Sequence, residues 1–157
     1  MLAEDIFRTR LHETIRTLRA WCQDLKSVAD VNQSETDDFW GLSLRPHVAT
    51  ACSLELILYR AQRFDITIGT ETYENRSVDE MAILPQMLAS IAGGRAITRI
   101  WSTQGTGLLH SIETIVPFDG RVWQAGTEMA LAAHIRRDAC LATDRHYAPY
   151  RAHAAAA

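Results

Sequence analysis

The sequence predicts an α+β fold: a single domain over residues 1–145, with an antiparallel sheet of about five or six strands flanked by a long N-terminal helix, a middle helix and a C-terminal helix. Three observations carry this. Ser53 to Tyr73 alternates apolar and polar residues with the period of half-buried strands. The first ~29 residues repeat apolar side chains at helical spacings of three and four. The links between strand-like runs are also too short for the crossover of about a dozen residues that parallel neighbours require.

Taken in order, the N-terminal helix is expected from Ala3 to Ala29, with Phe7, Leu11, Ile15, Leu18, Cys22, Leu25 and Ala29 on one stripe. Such a helix spans ~40 Å, whereas a compact domain of this length is only about 30–35 Å across. The stripe is therefore expected to project and to be shared with a second copy, through Leu11, Ile15, Leu18, Trp21 and Cys22. Asp30 to Asp38 has four acids and no apolar periodicity, which reads as a solvated connector. In Gly41 to Thr50 the leucines alternate, but Pro46 cannot donate to a ladder, so a strand there is expected at an edge or broken at Arg45.

Leu54 to Tyr59 and Phe64 to Ile68 form a hairpin around a short polar link, and Glu71 to Glu74 can add a third strand. Ser77-Val78-Asp79-Glu80 has the form of a capping box, in which the serine accepts from the Glu80 amide and the glutamate reaches back. It opens a helix carrying Met81, Leu84, Leu88 and Ile91, kinked or split by Pro85 and ended by Gly93-Gly94. Arg95 to Thr103 and Leu108 to Phe118 make a second hairpin, expected in the same sheet as the first, and Asp119-Gly120 turns the chain into Arg121 to Gln124. Thr127 can cap a last helix to about Ala142 on Met129, Ala132, Ile135 and Ala139, and residues 146–157 are expected to be a flexible tail. In element order the chain is similar to the small dimeric secretion chaperones, which flank a twisted antiparallel sheet with helices; the likeness concerns architecture and not function.

Sixteen basic against nineteen acidic residues give a net charge of −3, so no overall field favours nucleic acid or anionic lipid. Arg136, Arg137, Arg145 and Arg151, interleaved with Tyr147 and Tyr150, are locally basic, but Asp138 and Asp144 dilute them and no recognition motif is present. No run approaches the ~20 apolar residues of a membrane span, and the first residues lack the apolar core of a signal peptide, which predicts a cytoplasmic protein away from the membrane. Three well-separated cysteines with no CxxC pair read as reduced structural thiols.

The common nucleotide, zinc-protease and hydrolase motifs are missing, and Gly105-x-Gly107 reads as a hairpin turn that cannot offer a phosphate a helix end. His134 and Asp138, with Cys140, Asp144 and His146 behind them, straddle a helix end and do not supply the three or four fixed ligands of a zinc site, so no metal, cofactor or catalytic residue is assigned. Among the six histidines, His12, His47, His110, His134, His146 and His153, the one placed to act as a general base is His110, on a strand. Tyr59, Tyr73, Trp101 and Trp123 fall on strands where they can line a ligand cavity with it. The leading expectation is a non-enzymatic binding or protein-interaction domain that forms a homodimer. The alternative is a small-molecule ligand-binding protein or enzyme with a cavity between sheet and helices, using His110.

Overall fold

The structure is a computed structural model and describes residues 1–151. Helix α1, Glu4–Leu25, begins with two acids, Glu4 and Asp5, at its positive end and buries Phe7, Leu11, Ile15, Leu18, Cys22 and Leu25. At 22 residues, and so ~33 Å, it matches the width of the domain. The stripe therefore finds cover within its own chain, with every one of those six side chains at most 8% exposed. The expected projection is absent because the helix stops at Leu25 and Ala29 already belongs to a strand.

That strand, β1 (Ala29–Glu35), replaces the expected connector and pairs in full with β2 (Phe39–Pro46). It lies at the sheet edge with six of its seven residues at least partly exposed, so its sequence carries no apolar alternation. β2 is not an edge; it sits between β1 and β3 and simply ends at Pro46. With β3 (Leu54–Tyr59), β4 (Arg63–Ile68) and β5 (Glu71–Ser77) it completes a five-stranded antiparallel meander in sequence order. Register puts Leu44, Leu54 and Ile68 in one row, Leu42, Leu56 and Ile66 in the next, and Trp40, Leu58 and Phe64 in the third. All nine are buried, each worth about 1.5–3 kcal/mol of transfer free energy.

The Ser77 hydroxyl accepts from the Asp79 amide at 3.3 Å, one residue earlier than a capping box requires. The glutamate half of the expected box, the Glu80 side chain, lies outside the described residues. Pro85 splits the middle helix, as its missing N–H dictates, into a 3-10 segment (Val78–Ile83) and α2 (Leu84–Ala92), with the proline in the first turn of α2. Gly94 ends it at φ +78°, and a Cβ there would stand 2.6 Å from the Pro149 nitrogen.

The second hairpin, β6 (Ile97–Thr103) and β7 (Leu109–Phe118), does not join the first sheet. It builds its own antiparallel sheet in the order β8-β7-β6-β9, where β8 is Arg121–Glu128 and β9 is Cys140–His146. Among the described residues the architecture is thus α+β with two sheets, of five and four strands, and two α-helices. The expected C-terminal helix is two short 3-10 turns, Ala130–Ala132 and Arg137–Ala139, followed by β9. A helical stripe of which two members in four are alanine has little apolar area to bury, whereas β6 offered an open edge and seven ladder pairs.

The sheets meet where the Tyr73 ring stands edge-on to Trp123 at 5.5 Å and its hydroxyl lies 2.7 Å from Thr114 Oγ1. One core runs through α1, both sheets and α2. The chain beyond β9, expected to be flexible from residue 146, returns to the first sheet as a strap. The Ala148 amide donates to the Thr50 carbonyl at 3.0 Å, the Tyr150 amide to Ala92 at 2.8 Å and the buried Tyr150 hydroxyl to Cys52 at 2.5 Å. The rest of the expected tail, residues 152–157 with His153, lies outside the described residues. Among the described residues no helix is long and apolar enough to cross a membrane.

Candidate functional site

Strand β7 is buried on both faces, and that is unusual for a strand that carries a histidine and a glutamate in mid-sequence. Its core face packs under α2, where the Ser90 hydroxyl donates to the Pro117 carbonyl. Over its other face runs the segment between β8 and β9, held down where the Met129 amide donates to the His110 carbonyl at 2.9 Å. Between that segment and the sheet lies an open groove of about 490 Å³, lined by His110, Ser111, Glu113, Glu128, His134 and Arg137 among others.

His110, Ser111, Glu113 and Arg137 are engaged with their neighbours. His110 Nε2 lies 2.8 Å from the Ile135 carbonyl, which can only accept, so Nε2 carries a proton. Nδ1 lies 2.9 Å from Ser111 Oγ, and in the neutral ring it accepts from that hydroxyl. Glu128 Oε1 stands 3.6 Å from Nε2. One oxygen of Glu113 accepts from Arg137 Nη2 at 2.6 Å and the other from the Trp101 indole at 3.1 Å, while the Arg137 guanidinium stacks 4.9 Å from the Trp101 ring centre. His110 Nε2 and one Glu113 oxygen thus hold the 129–137 segment against β7, while Nδ1 and the other oxygen are engaged by Ser111 and by Trp101 of β6. This arrangement positions donors and acceptors at a surface, with the Glu128 carboxylate and His134 beside them in the lining.

The residues expected to share a cavity are spread over three places. His110 and Trp101 belong to the groove and its rim. Tyr73 and Trp123 form the junction of the sheets, and burial pushes the Tyr73 hydroxyl pKa up. Tyr59 lies on the outer face of the first sheet, edge-on to Phe39, under the Arg63 guanidinium and donating to Asp65 at 2.9 Å. Of the residues expected at a dimer contact, Leu11, Ile15, Leu18 and Cys22 face the chain's own core and Trp21 packs against it half-buried. Asp138 is paired with Arg136 at 2.9 Å and Asp144 with Arg99 at 2.8 Å, and among the described residues no three His, Cys, Asp or Glu side chains are grouped to hold a metal ion.

Ser111, Glu128 and Arg137 went unrecognised as site residues in the sequence. Glu113, a carboxylate in the middle of a ten-residue apolar strand, was the available signal, but its partner Arg137 sits on a segment whose alanines read as helix. Compared with known proteins, the chain matches no family model, no curated protein sequence and no solved structure.

Proposed function

We propose that the protein is a non-enzymatic binding protein that works as a homodimer through its second sheet. One observation carries this reading. Val122 on β8, Leu131 in the segment that follows and Leu141 on β9 are 61%, 81% and 63% exposed, whereas the apolar stripe of α1 is consumed by the core. Large apolar side chains left uncovered on both edges of one sheet mark those edges as contact surface. The engaged state of His110 and Glu113 supports binding rather than proton transfer. The unpaired, buried thiols of Cys22, Cys52 and Cys140 support a reducing, cytoplasmic setting. Light scattering across micromolar concentrations tests the reading: a particle of twice the 17.6 kDa chain mass is expected, and Leu141→Asp should give a folded monomer. A wild-type chain that stays monomeric throughout overturns it.

A second reading is favoured by the convergence of buried His110, Ser111 and Glu113 at the groove: a small polar ligand held against the Arg137 guanidinium. A thermal-shift screen of amino acids, carboxylic acids and sugar phosphates checks it, since a ligand of the folded state raises the melting temperature by mass action, and Arg137→Gln should abolish the rise.

A further inference from the structure

We propose that the contact is made by β9, pairing antiparallel with β9 of a second copy across a two-fold axis at Thr143, so that two four-stranded sheets become one continuous sheet. This rests on the homodimer reading and adds its location and register. β9 ends the strand order β8-β7-β6-β9, and among the described residues no strand pairs with its other side. Its ladder with β6 is unbroken through seven pairs, so its free edge is straight, and every residue from Leu141 to His146 is exposed. Edges are usually protected by a bulge, a proline or charged side chains; β5 has a bulge in its pairing with β4, whereas β9 has neither bulge nor proline, and its Asp144 is already paired with Arg99. At the opposite edge Arg76 already lies over Trp123 of β8.

The register follows from symmetry and charge. A two-fold perpendicular to the sheet keeps each side chain on its own face, so a residue can oppose only one of the same parity and the axis must pass through a residue. An axis at Asp144 sets two carboxylates opposite each other, and one at Arg145 sets two guanidinium groups opposite each other; both are repulsive. An axis at Ala142 leaves the end of the strand unpaired. At Thr143 the whole strand from Cys140 to His146 is used. Thr143 then meets itself, Ala142 meets an Asp144 already neutralised by Arg99, and each exposed Leu141 lies under the aliphatic stem of an Arg145. Beside Arg145 a hollow of about 300 Å³ opens among Pro46, Val48, Ala51, Gly69 and Tyr147, where the leucine of the second copy arrives.

The register is tested under native conditions by oxidation of variants that each carry one added surface cysteine beside the three buried native thiols. Opposed residues in an antiparallel ladder have Cα atoms about 4.5–5.5 Å apart, within disulfide reach. Thr143→Cys should cross-link with itself about tenfold or more faster than Thr9→Cys, an exposed control on α1, at the same concentration, because pairing raises the effective concentration. Leu141→Cys and Arg145→Cys should each stay uncross-linked alone and cross-link when mixed. All four positions are exposed, so the variants are expected to melt with the wild type. A wild-type dimer in which Thr143→Cys reacts no faster than the control and the 141/145 mixture does not link overturns the β9 contact while leaving the homodimer intact. A monomer by light scattering overturns both.

Discussion

The two sheets are built on opposite plans. In the five-stranded meander three rows of leucine, isoleucine, phenylalanine and tryptophan face α1, and polar residues face out. In the four-stranded sheet a histidine, a serine, a threonine and a glutamate are buried in one strand, while Val122 and Leu141 stand exposed on the two edge strands. The first plan maximises transfer free energy and leaves on the outer face a hollow of about 320 Å³ beside Phe39 and Ile57. The second spends burial on polar groups that must each find a partner and leaves apolar surface uncovered, an arrangement that stability alone does not favour. On the reading proposed above, the N-terminal half holds the fold and the C-terminal half carries the contact surface.

The sharpest way to break that contrast is one substitution made in both halves. Leu18→Arg places an unpaired charge in a position with no exposed surface and should abolish folding, because its cost rivals the roughly 5–15 kcal/mol that holds a domain together. Leu141→Arg should leave the unfolding midpoint of the monomer within about 0.5 kcal/mol of wild type. Circular dichroism through a urea titration reads both, and equal losses would sink the distinction. Next in size is the strap. Tyr150→Ala should cost about 3–5 kcal/mol for the lost ring, and Tyr150→Phe only about 1 kcal/mol for the bond to the Cys52 carbonyl. If instead Tyr150→Ala unfolded like an exposed change, the C-terminal residues would not be fastening the halves together.

This contrast also explains what was legible in the sequence. β3 and β4, each burying one apolar face, show in the alternation, and so do the Gly93-Gly94 and Asp119-Gly120 turns, which need positive φ. β1 and β9 were missed for one shared reason: an edge strand is held by backbone bonds, and side chains facing water need no pattern. Met129 to Ala142, rich in alanine, has high helical propensity, and pairing with β6 overrode it. His110 was visible as a strand histidine, but its partners Ile135 and Glu128 come from the segment read as helix, so the groove could not be assembled from spacing.

Alkaline pH should sharpen the comparison from the other side. Burial pushes the thiols of Cys22 and Cys52, both packed in the core of the first half, up to about 11 from an ordinary 9.0. Burial also raises the Tyr150 hydroxyl pKa well above its ordinary range. A folded-state pKa above the unfolded one contributes stability in full below about pH 9 and loses it as pH rises through 11, so each thiol should account for about 2–3 kcal/mol of the decline. Urea midpoints at pH 8, 9.5 and 11 measure the slope, and Cys22→Ala with Cys52→Ala should flatten it. An unchanged slope in that double variant would place the alkaline weakness outside the meander.

The smallest effect should come from the exposed pair on β9. Two hydrogen bonds from Arg99, at 2.8 and 3.0 Å, hold the Asp144 carboxyl below its ordinary 3.8, with the guanidinium charge adding to them. The sign is opposite to that of the thiols. A carboxyl whose folded pKa is depressed contributes stability above the unfolded value and loses it as pH falls through the folded one, so the pair should matter at pH 7 and vanish in acid. Both partners are open to solvent, and salt should weaken the contribution further. Asp144→Asn is therefore expected to lower the melting temperature slightly at pH 7 in low salt, and to converge on the wild type as the pH falls through the depressed pKa or in 1 M salt. A drop of the same size under all three conditions would mean that Asp144 holds β9 on β6 by packing rather than by charge, and the edge would then be less free to accept a second strand than its exposure indicates.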